Sequence, residues 1–353
     1  MNHKQRLAAL LTGLSAEALL LTSEISQRYA TGFPFSDGFV LVTEAESWLI
    51  TDFRYVEEAE RRCGEEFTVV APTSQLEFLA DLLSEKGIRC VGLEDLSLSQ
   101  ARYRILTEAL KILDVPIGTA IEELRAIKDS EELLAIRRAQ ELTDRAFSHI
   151  LKMLTPSMTE VEVALELEFF MRRAGADGIA FPTIAVSGAA SSLPHGVPGR
   201  KPLSRGFLTM DFGAVVDGYA SDMTRTVSLG TATQEMKDIY KTVLEAQRRG
   251  MEAIAEGVDA SLVDGAARSY IDSRGYKGLF GHSFGHGVGL EVHEAPRLSS
   301  RARRPLAAGN VVTAEPGIYL PGVGGCRIEN MGVVTKNGFE CFTTSTNELI
   351  ELF

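Results

Sequence analysis

Two aspartates flank a predicted β-hairpin turn within residues 210–226. The dipeptide Asp217-Gly218 between two strand-like runs favours a two-residue hairpin turn. Such a turn pairs Gly213 with Asp222, and Asp211, two residues from Gly213, then shares a face with Asp222. Solvated carboxylates are the ordinary alternative, but the apolar residues on both sides indicate buried strands. Because two buried carboxylates repel each other, they need either protonation or, as the stronger remedy, a divalent metal ion.

Three histidines crowd one glycine-rich run further along the chain: His282, His286 and His293. The glycines between them make a helix costly, so a helical zinc site is not expected here. An extended segment would instead bring imidazoles and backbone close to a bound group. Two more carboxylates follow, Glu315 at the end of an apolar strand and Glu329 inside a strand-like run. With the two aspartates, these residues supply four carboxylates and an imidazole to one candidate site.

The composition is that of an ordinary globular chain with an acidic balance. Its 353 residues have room for about two domains. A net charge of −12 and the lack of a long Lys/Arg run disfavour nucleic-acid binding. No apolar run approaches membrane-spanning length, and no signal-peptide pattern opens the chain. The four cysteines are scattered without a C-x-x-C pair, so we predict no disulfide framework, no zinc–thiolate site and a cytoplasmic location.

The elements that must position these residues fall into two predicted domains, residues 1–120 and 121–353. The first alternates short β-rich runs with amphipathic helical runs, which is typical of an α/β domain with a mixed sheet. Its predicted strands are residues 18–22, 38–43, 47–51, 67–70, 88–93 and 112–115, and its predicted helices are residues 54–63, 75–86 and 100–110. The second opens with a long helix at Asp129, with Glu132 as capping-box partner. Each half of it runs helix, helix, then a liganding strand, which indicates an internal pseudo-repeat.

These segments resemble the metallopeptidase family of pitta-bread fold that contains aminopeptidase P, prolidase and methionine aminopeptidase. The resemblance extends from about residue 120 to the end and includes five ligand positions in order. Residues 29–33 and 51–55 are similar to the creatinase-type N-terminal domain of aminopeptidase P and prolidase, which methionine aminopeptidases lack. The resemblance therefore implies a creatinase-type α/β N-terminal domain followed by an α+β pitta-bread catalytic domain.

The same resemblance implies roles for individual side chains. The implied ligands of two divalent ions are Asp211, Asp222, His286, Glu315 and Glu329, with Asp222 and Glu329 bridging the ions. The implied catalytic residues are Glu315, His195, His293, His282 and Arg327. The implied substrate contacts are Phe181, His195, His282, His293 and Tyr319. Since the donors are hard oxygens without thiolate, Mn²⁺ is the expected ion, with Co²⁺, Zn²⁺ or Fe²⁺ as alternatives.

The predicted activity is hydrolysis of Xaa-Pro bonds by a dinuclear metallopeptidase. Glu315 would shuttle the proton, His195 and His293 would stabilise the tetrahedral intermediate, and Arg327 would complete the charge balance of the metal site. The main prediction is an Xaa-Pro aminopeptidase that acts on peptides with proline at the second position. The alternative is an Xaa-Pro dipeptidase, or prolidase, which must also hold the free carboxylate of the proline.

Two other classes are less favoured, because all five ligand positions are filled. They are a creatinase-like C–N hydrolase and a non-catalytic binding protein on the same fold. The resemblance also implies a homodimer or homotetramer.

Overall fold

The computed structural model describes residues 2–353, which divide into two compact units on either side of the Arg125–Ala126 bond. The strands of the first unit are β1 (Ala18–Leu21), β2 (Phe39–Val42), β3 (Ser47–Ile50), β4 (Thr68–Val70), β5 (Cys90–Leu93) and β6 (Leu113–Pro116). The helices that begin in it are α1 (His3–Leu14), α2 (Glu24–Thr31), α3 (Val56–Cys63), α4 (Gln75–Glu85), α5 (Gln100–Leu110) and α6 (Ala120–Ala126).

The first unit is built on one six-stranded sheet with the order β4-β3-β2-β1-β5-β6. Strand β2 runs antiparallel to β1 and β3, whereas β5 runs parallel to β1 and β6, so the mixed sheet is confirmed. Every strand and helix predicted here is present, with ends shifted by no more than two residues. Helices α1, α2 and α6 were not predicted. In α1, Leu7 and Leu11 lie one turn apart and are buried, which is the ordinary pattern of an amphipathic helix.

The second unit carries the candidate site. Its longer helices are α7 (Ser130–Met153), α8 (Glu160–Arg173), α9 (Gln234–Ala253) and α10 (Ala260–Ile271). The strands of its first half are β7 (Gly178–Ile179), β8 (Ile184–Ser187), β9 (Gly206–Phe212), β10 (Ala214–Val216), β11 (Tyr219–Ala220) and β12 (Met223–Leu229). The remaining strands are β13 (Gly285–Gly287), β14 (Glu294–Leu298), β15 (Val311–Ala314), β16 (Gly317–Leu320), β17 (Gly324–Arg327), β18 (Asn330–Thr335), β19 (Gly338–Cys341) and β20 (Glu351–Leu352).

The two halves of this unit repeat the same plan. One apolar cluster packs α7 and α8 against β9 and β12, and another packs α9 and α10 against β15 and β18. The second helix of each pair is capped by a residue that also forms an isolated bridge to a proline, Thr159 to Pro202 and Asp259 to Pro305. The predicted capping box of Asp129 and Glu132 opens α7. Each half thus supplies a helix pair that supports a sheet whose strands carry predicted ligands.

Helices of the second unit are amphipathic and packed on sheets. Within residues 2–353, no helix combines the length and apolarity needed to cross a bilayer.

Gly250 lies on α9 against the ring of Phe284, in the segment that leads to His286. A methyl group at Gly250 would overlap the buried ring of Phe284, whereas one at Gly265 in α10 would meet no other heavy atom within 4 Å. We therefore expect Gly250→Ala to destabilise the protein by about 1–3 kcal/mol through overpacking. Gly265→Ala, the matched control, should stabilise it by about 0.5–1 kcal/mol through helix propensity. Thermal or denaturant unfolding measures both; a stabilised Gly250→Ala variant would contradict the packing.

Candidate metal centre

The hairpin that carries the two aspartates has the predicted turn. Asp217 and Gly218 both adopt positive φ, 51° and 87°, as a two-residue type I′ turn requires. Val216 pairs with Tyr219 directly across this turn. The register expected from the sequence is therefore confirmed at the tip of the hairpin.

The ladder between the two strands is interrupted at Gly213, and the same register then continues into β9 and β12. There Asp211 pairs with Thr224, which puts Asp222 on the same face as Asp211, displaced by one pleat. At Gly213 a side chain would overlap the carbonyl oxygen of Ser221. Only glycine allows the two strands to approach this closely beside the carboxylates.

The two glutamates face each other across a second antiparallel pair. The ladder of β15 and β18 ends at Ala314 opposite Asn330, and the ladder of β16 and β17 begins three residues further on in the same register. Glu315 and Glu329 are the residues between these ladders, directly opposite one another. Because like charges in that position destabilise a sheet, the arrangement is unfavourable unless something binds between them.

His286 completes the cluster. One candidate ligand atom from each of Asp222, His286 and Glu329 lies within 4.8 Å of the other two. The His286 Nε2 atom is 3.1 Å from a Glu315 oxygen and 3.6 Å from an Asp222 oxygen. Its Nδ1 lies 3.1 Å from the carbonyl oxygen of Gly287. With Nδ1–H donated to that carbonyl, Nε2 is directed at the carboxylates, which is the usual second contact of a metal-binding histidine.

Arg327 is the buried cation of the site. Its Nη2 donates to an Asp211 oxygen at 2.6 Å, its Nε to the Thr224 hydroxyl at 2.9 Å and its Nη1 to the Tyr319 hydroxyl at 2.8 Å. The Thr224 hydroxyl in turn donates to Glu329 at 2.8 Å. One guanidinium therefore orients one carboxylate directly and a second through a hydroxyl.

The carboxylates respond unequally to this environment. Burial and then the charge of Glu329 raise the pKa of Asp222 well above its usual value, and burial and then the charge of Glu315 do the same for Glu329. Burial also opposes ionisation of Glu315, but the hydrogen bond and charge of His286 outweigh it and bring its pKa to about 2. Without a bound cation, these surroundings therefore disfavour the ionised forms of Asp222 and Glu329.

Two carboxylate oxygens give a direct test of whether metal ions fit. Asp211 Oδ1 and Glu329 Oε1 are buried and have no hydrogen-bond partner among the described residues. Buried oxygens of this kind are costly unless a proton or a cation reaches them. The donor set, four carboxylates and one imidazole, is suited to hard divalent ions. The side chains present therefore fit the pair of ions that the sequence predicts.

All five predicted ligands line one cavity of about 540 Å³. The other predicted residues on its wall are Phe181, His195, His282, His293 and Arg327. Tyr319 instead lies behind the wall, buried, with its hydroxyl 2.9 Å from His282 Nε2. Burial raises the pKa of Tyr319 to about 12, so the hydroxyl stays protonated and can donate to that nitrogen. Burial also lowers the pKa of His282, which keeps this imidazole neutral and able to accept.

One further wall residue, Arg297, was missed by sequence reasoning. It is exposed, pairs with His286 across β13 and β14, and has no ion-pair or hydrogen-bond partner for its guanidinium within residues 2–353. The pairing of these strands contains a register shift between His286 and Gly287, and no local sequence signal predicts this shift. A free cation beside the ligand cluster is suited to an anionic group of a substrate.

Comparison with known sequences now decides the family. The model of metallopeptidase family M24 matches residues 135–336, and that of the creatinase/prolidase N-terminal domain matches residues 4–127. This chain belongs to metallopeptidase family M24. Its architecture is the creatinase-type N-terminal domain followed by the pitta-bread catalytic domain, as the sequence predicts.

Several relatives match this M24 peptidase along nearly its whole length. It is 41% identical to an Xaa-Pro dipeptidase from Bacillus anthracis, whose structure superposes with a TM-score of 0.95 and 99% coverage of both chains. An X-Pro aminopeptidase structure from Thermotoga maritima is 36% identical, with a TM-score of 0.91 and coverage of 96% of this chain and 98% of that one. An Xaa-Pro dipeptidase from Pyrococcus horikoshii is 36% identical over 99% of both chains.

Removal of Arg327 tests the electrostatics of the site. Breaking a buried ion pair from one side typically costs about 3–5 kcal/mol, so we expect the metal-free Arg327→Met variant to unfold more easily by about that amount. Excess Mn²⁺ should reduce the difference in unfolding free energy between Arg327→Met and wild type, because bound cations would stabilise the carboxylate that the variant leaves unpaired. Calorimetry with and without Mn²⁺ measures both effects.

The control is Arg138→Met, which removes an exposed arginine that lies 3.7 Å from Asp217 and should change the free energy of unfolding little. Equal stability of the two metal-free variants would contradict this account.

Proposed function

We propose that this M24 peptidase is a dinuclear Xaa-Pro dipeptidase. The observation that carries the proposal is the unpaired guanidinium of Arg297 on the wall of the ligand-lined cavity. A dipeptide presents the free carboxylate of its proline close to the scissile bond, and a guanidinium is the side chain best suited to bind it. The printed names of the Bacillus anthracis and Pyrococcus horikoshii relatives also support a dipeptidase over the aminopeptidase that the sequence favoured.

The proposed ligands of the two ions are those predicted from the sequence. They are Asp211, Asp222, His286, Glu315 and Glu329, and these side chains would hold the pair of ions. Two divalent cations match the charge of four carboxylates, and oxygen-rich sites suit Mn²⁺. When bound, such a pair supplies an activated water and stabilises the negative charge that develops on the substrate carbonyl.

The protein's own groups would handle the proton and the substrate. Glu315 Oε1 lies 3.1 Å from His286 Nε2, and its Oε2 is the atom proposed to accept the proton of the attacking water and deliver it to the leaving nitrogen. His195 and His293 are exposed on the cavity wall, where their ring N–H groups can donate to the carbonyl oxygen of the scissile bond. Arg327 would keep the Asp211 carboxylate oriented throughout.

Selection for proline would rest on shape, because the proline nitrogen of an Xaa-Pro bond has no hydrogen to donate. The cavity wall includes the rings of Phe181 and His282, together with Ile184 and Val197. An apolar wall of this kind favours a compact ring and gives no partner to an amide N–H. This supports Xaa-Pro bonds as the substrate class.

An Xaa-Pro aminopeptidase is the second candidate, and the name of the Thermotoga maritima relative favours it. Creatinase-like hydrolysis and a purely binding role are supported less well, because the complete ligand set lies around one cavity. The free thiols of all four cysteines support the proposed reducing, cytoplasmic location. The homodimer or homotetramer stays a prediction.

A substrate comparison tests the proposal. After exhaustive chelation and reconstitution with Mn²⁺, we expect kcat/KM for dipeptides such as Ala-Pro and Met-Pro to exceed that for the tripeptides Ala-Pro-Ala and Met-Pro-Ala. The chelated protein should be inactive until Mn²⁺ is restored. A preference for tripeptides would establish the aminopeptidase instead, and activity retained without metal would reject both candidates.

The Arg297→Met variant tests the carboxylate-binding role by its different effects on dipeptide and tripeptide hydrolysis. A hydrogen bond to a charged group is worth about 1.5–3 kcal/mol, so KM for dipeptides should rise roughly tenfold or more while kcat changes little. Tripeptide hydrolysis should be affected much less, because the proline carboxylate is then an amide. Arg301→Met, at an exposed arginine that is not on the cavity wall, is the matched control. A uniform loss with both substrates would argue against a carboxylate-binding role for Arg297.

A further inference from the structure

Gln247 lies on α9 directly behind the two glutamates. Its side chain is fully buried, and its Nε2 donates to the carbonyl oxygens of Ala314 and Ile328, each at 2.9 Å. These carbonyls belong to the residues that immediately precede Glu315 and Glu329. A side-chain amide has two N–H groups, so one glutamine can satisfy both acceptors.

The carbonyl of Ile328 needs this donor because of a proline. Ile328 N–H approaches the carbonyl oxygen of Pro316 at 3.5 Å, which marks the two residues as a hydrogen-bonded antiparallel pair. In such a pair the return bond runs from the N–H of residue 316 to the carbonyl of residue 328. Proline has no N–H, so the ladder cannot supply it. Gln247 provides from the adjacent helix the hydrogen bond that the sheet lacks.

The glutamates are held on their other sides by the strands that carry the remaining ligands. Glu315 N–H donates to the Phe284 carbonyl at 2.8 Å, two residues before His286, and Glu329 N–H donates to the Thr224 carbonyl at 3.1 Å. These bonds tie each glutamate to its own neighbouring strand. Gln247 is bonded to the backbones of both glutamate segments, at the point where their own ladder is interrupted.

We infer that Gln247 is a positioning residue that sets the spacing of Glu315 and Glu329 and thereby the affinity of the site for its metal ions. This inference rests on the metal-binding roles proposed above for the two glutamates. Groups behind the ligands commonly contribute about tenfold to hundredfold to metal affinity, because they hold the ligands in a geometry ready for the ion.

Gln140 is a matched control within the same chain. It is also fully buried, it lies on α7 in the other half of the repeat, and its Oε1, like that of Gln247, has no partner within residues 2–353. Its Nε2, however, points to the sulfur of Met223 at 3.7 Å and makes no bond to the glutamate segments. Gln140→Met and Gln247→Met therefore remove the same groups from equally buried sites.

The experiment titrates Mn²⁺ into metal-free, full-length protein by calorimetry, with thermal unfolding of each metal-free variant as a check of folding. We expect Gln247→Met to bind Mn²⁺ about tenfold to hundredfold more weakly than wild type, and Gln140→Met to bind it unchanged. Pro316→Ala restores a backbone N–H opposite Ile328, so adding it to Gln247→Met should recover part of the lost affinity. A residue that only fills space would not be rescued in this way. If Gln247→Met does not fold, Gln247→Asn, which is too short to reach both carbonyls, is measured instead.

The outcomes separate this inference from the function it rests on. Weak or absent Mn²⁺ binding by the wild type would reject the proposed metal centre itself. Tight binding by the wild type with equal affinity in Gln247→Met, or equal losses in the Gln140 and Gln247 variants, would overturn only the role of Gln247. A selective loss in Gln247→Met that Pro316→Ala partly reverses would establish it.

Discussion

The accumulation of negative charge in one poorly solvated cavity is the constraint on which the rest of this structure depends. Four carboxylates approach one another there, and two of them, Glu315 and Glu329, are directly opposed across a pair of strands. Repulsion between such groups weakens a sheet, and the removal of water makes this repulsion stronger. Arg327 compensates Asp211 but leaves oxygens of Asp211 and Glu329 without partners. The strands must therefore be held in place by contacts other than the backbone hydrogen bonds next to the carboxylates.

The two halves of the catalytic unit interrupt their ladders by different chemical means while keeping register. In the first half, Gly213 has no side chain at the point where the Ser221 carbonyl approaches. In the second, Pro316 has no N–H to give to Ile328. Both interruptions lie beside a proposed metal ligand, and both leave the strands beyond them correctly paired. The missing side chain and the missing N–H lie where the carboxylates converge, and the helix pairs behind the sheets preserve the geometry.

The sequence was most informative where the chemistry is local. Asp217-Gly218 specifies a turn type, the turn specifies a register, and the register places Asp211 and Asp222 on one face without knowledge of the fold. The opposition of Glu315 and Glu329 was not predicted from the residues, because the register there is set by strands on both sides of an interruption. Assignment of these glutamates depended on resemblance to a family, and the structure adds their geometry.

Residues that act through tertiary contacts were beyond sequence reasoning for a physical reason. Arg297 reaches the cavity only because β14 pairs with β13 across a register shift, and Gln247 resembles any buried polar residue of an amphipathic helix until its acceptors are known. Tyr319 was predicted to touch the substrate, but it lies behind His282 and Arg327 and reaches the cavity through them. In the first unit, α1, α2 and α6 were missed although every strand was found.

The division of the ligands between two halves has a consequence for how the chain is made. A ribosome releases Asp211 and Asp222 on a complete hairpin well before it has polymerised His286, Glu315 and Glu329. During that interval the aspartates are bathed in water, where neighbouring negative charges cost little. Desolvation begins only when the last strands close over them, since domains fold as units once their chain is available. The most unfavourable step in forming the site is thus postponed until the strands that carry His286, Glu315 and Glu329 have been translated.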